Sequence, residues 1–276
     1  MKLAHILRAV YCEPWLIRPQ MHKQICEIVQ AHVDGTAHAE NGIAEMFEAM
    51  DFDILHYHEN VAVIDVAGVI GRKVSMLEKS SGVTDVNDIA DALSAAEEDD
   101  TDGIVMRFDT PGGTVSGVPE LAMLMREVGE SKPIVAYVDG MAASAGYWLA
   151  SQSHAIVTTP SSVVGSVGVY MAMLDTSRAF EMQGVKMDVI KAGKYKGVGI
   201  QGTSLSEEQR ALIQAEVDEI HAMFKGAVNI GRGGVADEYM QGQDFMGEKS
   251  VSIGMADQLG TLDDAVELVR VIKEKM

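Results

Sequence analysis

From about residue 53 onward, short apolar runs alternate with amphipathic helical patterns, and this alternation restricts the chain more than any other feature. "GIVMRF" (103–108) and "IVAYV" (134–138) are continuous apolar runs of strand length, each followed by a glycine-punctuated turn and a helical pattern. "AIVTT", "VGVYMA" and "KMDVI" read as further strands, and "VNDIADALSAAEED", "GVPELAMLMREVGES", "SAGYWLASQS" and "TSRAFEMQGV" as helices. Strands with helical crossovers predict an α/β domain with a mostly parallel sheet. "ILHYH" and "VAVIDVAGVI", on either side of Glu59-Asn60, predict a hairpin, and the basic, Gly/Ser-containing stretch 71–82 a mobile loop.

Outside this unit, residues 1–52 predict a helical N-terminal arm, too small to fold alone, leaving 53–276 as the main domain. After Gly202 the pattern is helical. Ser206 and Gln209 fit a capping box, and Leu212, Ile213, Val217, Ile220, Phe224 and Val228 form a long apolar stripe suited to a core or a subunit interface.

Composition narrows the function classes. A formal net charge of −19 argues against nucleic acid as a general partner and against an anionic membrane surface. The two cysteines, Cys12 and Cys26, make neither a disulfide framework nor a zinc spacing, which favours a reducing compartment. Arg8, Glu13 and Arg18 interrupt the N-terminal apolar stretch. No later run approaches the roughly 20 apolar residues of a membrane span, so a cytoplasmic protein is expected.

Two strand-to-helix junctions carry the chemistry. In "DTPGGTVSG" (109–117), Gly112 and Gly113 permit a turn of unusual dihedrals and leave backbone N–H groups bare, able to bind a phosphate or an oxyanion; a plain turn is the alternative. In "MAASAGYW" (141–148), Ser144 stands alone among small residues at the start of a helix, as an N-cap or filler, or as an uncrowded nucleophile. Both junctions lie at carboxyl ends of strands, where open α/β sheets gather ligands. If they face each other, the N–H groups of Gly113 and Ala145 form an oxyanion hole around the Ser144 hydroxyl.

A serine nucleophile needs a base. His154 lies ten residues on, roughly 15 Å along a helix, and the remaining histidines fall mostly in the arm or the hairpin. His56-x-His58 reads as one polar strand face rather than a metal site. "KAGKYKGVG" (191–199) offers Lys191, Lys194 and Lys196; a lysine base must lose its proton near neutrality, which burial achieves. The residues alone do not choose among the three. Ser166 in "VVGSVGV" is either a buried serine bonded to backbone or a group that orients the base.

The ordered series "DTPGGTVSG", "VDGMAASAGYWLAS", "VVGSVGV", "AGKYKGVG" and "GQDFMGEKSVSIGMADQLG" resembles the S49 serine peptidase family, that of signal peptide peptidase A, over about residues 60–262. The resemblance implies a Clp-protease/crotonase-like fold and a serine–lysine dyad. On the matching motifs, Ser144 is the nucleophile and Lys196 the base, Gly113 and Ala145 supply the oxyanion hole, and Ser166 orients the base. Extended polypeptide substrate would lie beside Gly112, Gly113 and Thr114 on one side and Val167 and Gly168 on the other. No metal or cofactor is implied.

The N-terminal "ILRAVYCEPWLIRPQMHKQI" resembles the leader of the bacteriophage head-maturation proteases of the same family. This implies processing of scaffold or portal-associated proteins, in host cytoplasm or procapsid, by a homo-oligomer. Many phage relatives continue into a scaffold domain, whereas this chain stops at Met276. Three other readings compete: a soluble bacterial signal-peptide-peptidase-like enzyme, a non-catalytic assembly protein, and a crotonase-like acyl-CoA enzyme, which would need neither Ser144 nor Lys196.

Overall fold

The computed structural model describes residues 14–19, 22, 23, 25–27 and 53–276. Most of the expected arm lies outside these residues. The part that is described includes a strand, β1 (Trp15–Ile17), and helical residues at 22, 23 and 25–27. The chain then runs β2 (Leu55–His58), β3 (Val61–Ala67), β4 (Val69–Gly71), α1 (Met76–Ser80), β5 (Val83–Asp85) and α2 (Val86–Glu98). It continues through β6 (Ile104–Thr110), β7 (Gly112–Thr114), α3 (Val118–Ser131), β8 (Ile134–Ala143), α4 (Ala145–Ala150), β9 (Ala155–Thr158) and β10 (Val163–Gly165). It closes with α5 (Ser177–Met182), α6 (Glu207–Arg232), β11 (Asp244–Met246), α7 (Gly247–Ser252), β12 (Gln258–Leu259) and α8 (Leu262–Lys273).

The larger sheet runs β11-β10-β8-β6-β3-β2, with β9 paired to β8 and β12 to β9. The pairs β3–β6, β6–β8, β8–β9 and β8–β10 are parallel; β2–β3 and β10–β11 are antiparallel. This is the mostly parallel α/β architecture the alternation predicts. Strand residues show why the runs are continuous. Ala62, Ile64 and Val66 face one core with Ile104, Met106, Phe108, Ile134, Ala136 and Val138. The intervening Val61, Val63, Val105, Val135 and Tyr137 face a second core under Ala265, Val266 and Val269 of α8. Both faces are covered, so neither can be polar.

The hairpin turn holds Glu59 and Asn60 at φ 47° and 66°, the left-handed pair that a two-residue turn matched to strand twist requires.

A smaller sheet, β1-β7-β4-β5, grows from the same strands. β3 passes through Gly68 (φ 67°) into β4, and β6 passes through Pro111 into β7. A β-carbon at Gly68 would meet the Gly82 carbonyl oxygen at 2.0 Å, so only glycine fits this corner. The seam between the sheets therefore lies at the carboxyl ends of β3 and β6, beside the end of β8.

Three local expectations change. The stretch 71–82 is not loop throughout. Ser75 and Glu78 make a reciprocal capping box that starts α1. "KMDVI" (186–190) forms no strand, because no neighbouring strand reaches it, and Ile190 is 98% exposed. "VGVYMA" (167–172) is irregular apart from a bridge between Tyr170 and Trp15. Along α6, Phe224, Ala227 and Val228 are buried, while Leu212 near its start is exposed.

Candidate active site

The site is assembled at the seam. Thr110, the last residue of β6, donates its hydroxyl to the Gly68 carbonyl (2.5 Å) and accepts from the N–H of Gly112 (3.1 Å), which pins the turn into β7. Gly112 has φ 100°, and a β-carbon there would lie 2.9 Å from Ser144 Cβ and 3.0 Å from the Ala143 carbonyl oxygen. The glycine is required because the two junctions touch. One junction rests directly on the other, as the oxyanion reading needs.

Ser144 follows β8 and caps α4 with φ 54° and ψ −116°, a conformation that non-glycine residues adopt only under tertiary constraint. The constraint is visible on both sides. Its N–H donates to the Gly165 carbonyl (2.8 Å), and its carbonyl accepts from Trp148 N–H (2.9 Å). Helix α4 is buried along its whole length. Tyr147 donates its hydroxyl to the Met255 carbonyl (3.0 Å), Trp148 stacks on Phe224 at 4.7 Å, and a β-carbon at Gly146 would meet Thr110 Cγ2 at 2.4 Å. Ser144 is 1% exposed, and its hydroxyl makes no hydrogen bond among the described residues. Strain of this kind, held by packing, characterises functional positions.

Gly165, the last residue of β10, and Ser166 after it have φ 125° and 56°, a tight reversal fixed by the bond from Ser166 N–H to the Gln243 carbonyl (2.7 Å). Because Gly165 is opposite Ala143 and holds the Ser144 N–H, Ser166 is one residue from the serine's backbone anchor. Val167 is buried and Gly168 half-buried as the chain leaves this reversal. Gly112, Ser144, Ala145 and Ser166 thus meet at one seam, from which Gly113 and Thr114 continue along β7 and Val167 and Gly168 continue from Ser166.

Lys196 makes no hydrogen bond or ion pair with them among the described residues. Its side chain is exposed in the loop 191–199, with its N–H bonded to the Gly193 carbonyl (3.2 Å). That loop is held from elsewhere. Lys194 pairs with Glu208 (3.1 Å), a β-carbon at Gly199 would meet Met173, and Gly202 N–H donates to Thr176. His154 binds the main chain of Ile134, at the opposite end of β8 from Ser144, roughly 30 Å away at strand rise. His56 and His58 face Asp65 (3.7 Å) and Asp263 (3.1 Å). No helix among the described residues is long and apolar enough to cross a membrane.

Two features of the seam escape a reading of the sequence. Strand β1 pairs with β7 antiparallel, Leu16 opposite Gly113. Arg18 forms an ion pair with Asp244 on β11 (2.8 Å). The only hint of the strand is the short apolar "WLI" behind a proline.

Comparison with known proteins gives this geometry a family. Over 213 residues the chain is 32% identical to Capsid assembly protease C of Escherichia phage lambda, a match covering 76% of this chain and 48% of that one. Over 287 residues it is 26% identical to the Head-tail preconnector protein GP5 of Enterobacteria phage P21, covering 97% of this chain and 57% of the other. It thus spans about half the length of these two relatives. A solved enoyl-CoA hydratase from Shewanella pealeana superposes with a TM-score of 0.48 at 10% identity, over 86% of this chain and 77% of that one. The model of Peptidase family S49 matches residues 126–275, more than half of the chain, from the helix before β8 through α8. With a family model matched over more than half of its length, the chain belongs to peptidase family S49.

Proposed function

We propose that this protein is an endopeptidase in which Ser144 is the nucleophile and Lys196 the general base. The observation that carries the reading is the contact between Gly112 and a strained, buried Ser144, which sets a bare hydroxyl beside a glycine turn. In its neutral form Lys196 takes the Ser144 proton as Oγ attacks the peptide carbonyl. The N–H groups of Gly113 and Ala145 hold the oxyanion, and Lys196 then protonates the leaving amine. Water, deprotonated by the same lysine, hydrolyses the acyl-enzyme. Ser166 orients the lysine, and Gly112, Thr114, Val167 and Gly168 flank the extended substrate.

The exposed position of Lys196 bears on how the dyad is completed. The segment around it carries Leu174, Met182, Ile190 and Tyr195, all exposed, and the first half of α6 exposes Leu212. Large apolar side chains in such number mark an association surface, which supports a homo-oligomer whose contacts carry the 191–199 loop onto a Ser144 site. The two phage relatives favour proteins of an assembling phage head as substrates.

The test is cleavage of casein at mildly alkaline pH, followed by intact mass, for wild type, Ser144→Ala and Lys196→Ala. Cleavage by wild type alone is expected; equal cleavage by all three rejects the site. Mixing the two variants adds a second reading. Recovered activity assigns Ser144 and Lys196 to different copies, and none assigns them to one copy.

A further inference from the structure

We propose that residues 15–18 of this chain sit in the substrate-strand position and hold the site closed, and that an extended peptide of three apolar residues followed by a basic one is what this position accepts. The inference rests on the reading of Ser144 as nucleophile and Gly113 as oxyanion donor, and adds a ligand class and a regulatory state to it.

The main chain makes the case. Trp15 and Tyr170 exchange both bonds of an antiparallel pair, N–H to carbonyl at 2.9 Å and 3.3 Å. Successive residues of a strand turn their polar groups to opposite neighbours, so Leu16 directs its N–H and carbonyl at β7. There it is opposite Gly113, whose N–H is the proposed oxyanion donor. A point at the β-carbon position of Gly112 lies 2.1 Å from the Leu16 carbonyl oxygen and 2.9 Å from Ser144 Cβ. A carbonyl of this chain therefore stands beside the nucleophile, on the strand that substrate would use. The segment bridges β7 on one side and Tyr170 on the other, and an incoming peptide and these residues exclude each other.

Side chains define the ligand. Trp15, Leu16 and Ile17 are buried to 4%, 0% and 3% exposure. Arg18 donates its N–H to the Pro111 carbonyl (3.1 Å) and crosses to Asp244 (2.8 Å), with Nη1 against Met141 Sδ (3.5 Å). Asp244 is opposite Gly165, the residue that anchors the Ser144 N–H, so a basic side chain is read next to the nucleophile. The seat is also imperfect. Trp15 Nε1, Arg18 Nε and the Tyr170 hydroxyl are buried without a hydrogen-bond partner among the described residues. Unpaired polar groups weaken the docking, as a displaceable segment requires.

A tethered segment at roughly millimolar effective concentration lowers substrate capture about tenfold for a peptide of about 100 μM affinity. The full-length protein carrying Trp15→Ala and Arg18→Ala should cleave casein about tenfold faster than wild type at low substrate. A binding readout separates this from catalysis: a fluorescein-labelled peptide of residues 13–19, EPWLIRP, titrated into the Ser144→Ala protein with and without the two arm substitutions. Binding about tenfold tighter to the arm-substituted protein is expected, and Asp244→Asn in that protein should weaken it. Equal binding to both, or no binding to either at millimolar peptide, overturns the proposal; indifference to Asp244→Asn overturns its basic-residue part. If binding behaves as expected but casein cleavage survives Ser144→Ala, the nucleophile assignment fails and the occupied strand position stands. Should the double substitution unfold the protein, Arg18→Ala alone gives the same direction with a smaller change.

Discussion

Ser144 hangs from Gly165 by a single main-chain bond of 2.8 Å, and that bond holds the serine at φ 54°, ψ −116°. Strain of this size costs on the order of 1–3 kcal/mol in a residue with a β-carbon, and glycine escapes most of it. Ser144→Gly should therefore raise stability by about 1 kcal/mol while removing the proposed nucleophile. Urea denaturation of the two proteins checks this. A less stable glycine variant would mean that the packing around Oγ outweighs the strain.

Gly112 tests the contact between the two junctions. Its φ of 100° disfavours any side chain, and an alanine methyl would sit 2.1 Å from the Leu16 carbonyl oxygen and 2.9 Å from Ser144 Cβ. Gly112→Ala should cost about 2–3 kcal/mol of stability from overpacking and positive φ. It should also depress casein cleavage more than a remote substitution of equal thermal cost. Thermal unfolding and cleavage, measured together below the transition, separate the two effects.

What the sequence reveals here follows the range of each interaction. The runs forming β3, β6 and β8 are legible because burial on both faces leaves a continuous apolar signature. Ser144 is legible because the close approach of Gly112 and Gly146 to their neighbours demands small residues nearby. The capping box of Ser75 and Glu78 was also present as a local pattern, masked by its glycine and serine neighbours. Strand β1 is not legible. Three residues carry no periodicity, and its partners Gly112–Thr114 and Tyr170 lie about a hundred or more positions away. The place of the 191–199 loop is likewise hidden, since exposed glycine-rich chain leaves no burial pattern to read.

Lys132 offers a prediction far from the seam. Its ammonium donates to the carbonyls of Ala96 (2.6 Å), Glu97 (3.2 Å) and Asp99 and to the Thr101 hydroxyl (3.1 Å), closing the carboxyl end of α2. Burial holds its pKa below the usual lysine range. Lys132→Met keeps the stem and removes the charged donor, leaving helix-terminal carbonyls without it. A loss of about 2 kcal/mol is expected, with casein KM unchanged. Chemical denaturation alongside steady-state kinetics gives both numbers, and a changed KM would link this helix end to the site.

Asp102 supplies a pH dependence. Its carboxyl bonds Lys273 at 2.8 Å and faces Arg270 at 3.7 Å, joining the turn before β6 to α8. The hydrogen bond from Lys273, helped by that from Asn60 and by the neighbouring positive charges, outweighs the opposing effect of burial and holds its pKa below the ordinary carboxylate value. A lowered folded pKa means that the unfolded chain binds the proton more readily as pH falls. The stabilisation is therefore complete above the unfolded value of about 3.9 and disappears as pH drops through the folded one. Asp102→Asn should lower stability at pH 7 by somewhat under about 1 kcal/mol, since the pair is partly solvated. As pH falls through the folded value the two proteins should converge, and at pH 7 high salt should narrow the gap. Urea midpoints at pH 2.5, 4 and 7 decide it: a gap that stays constant across the three would assign the loss to packing rather than to charge.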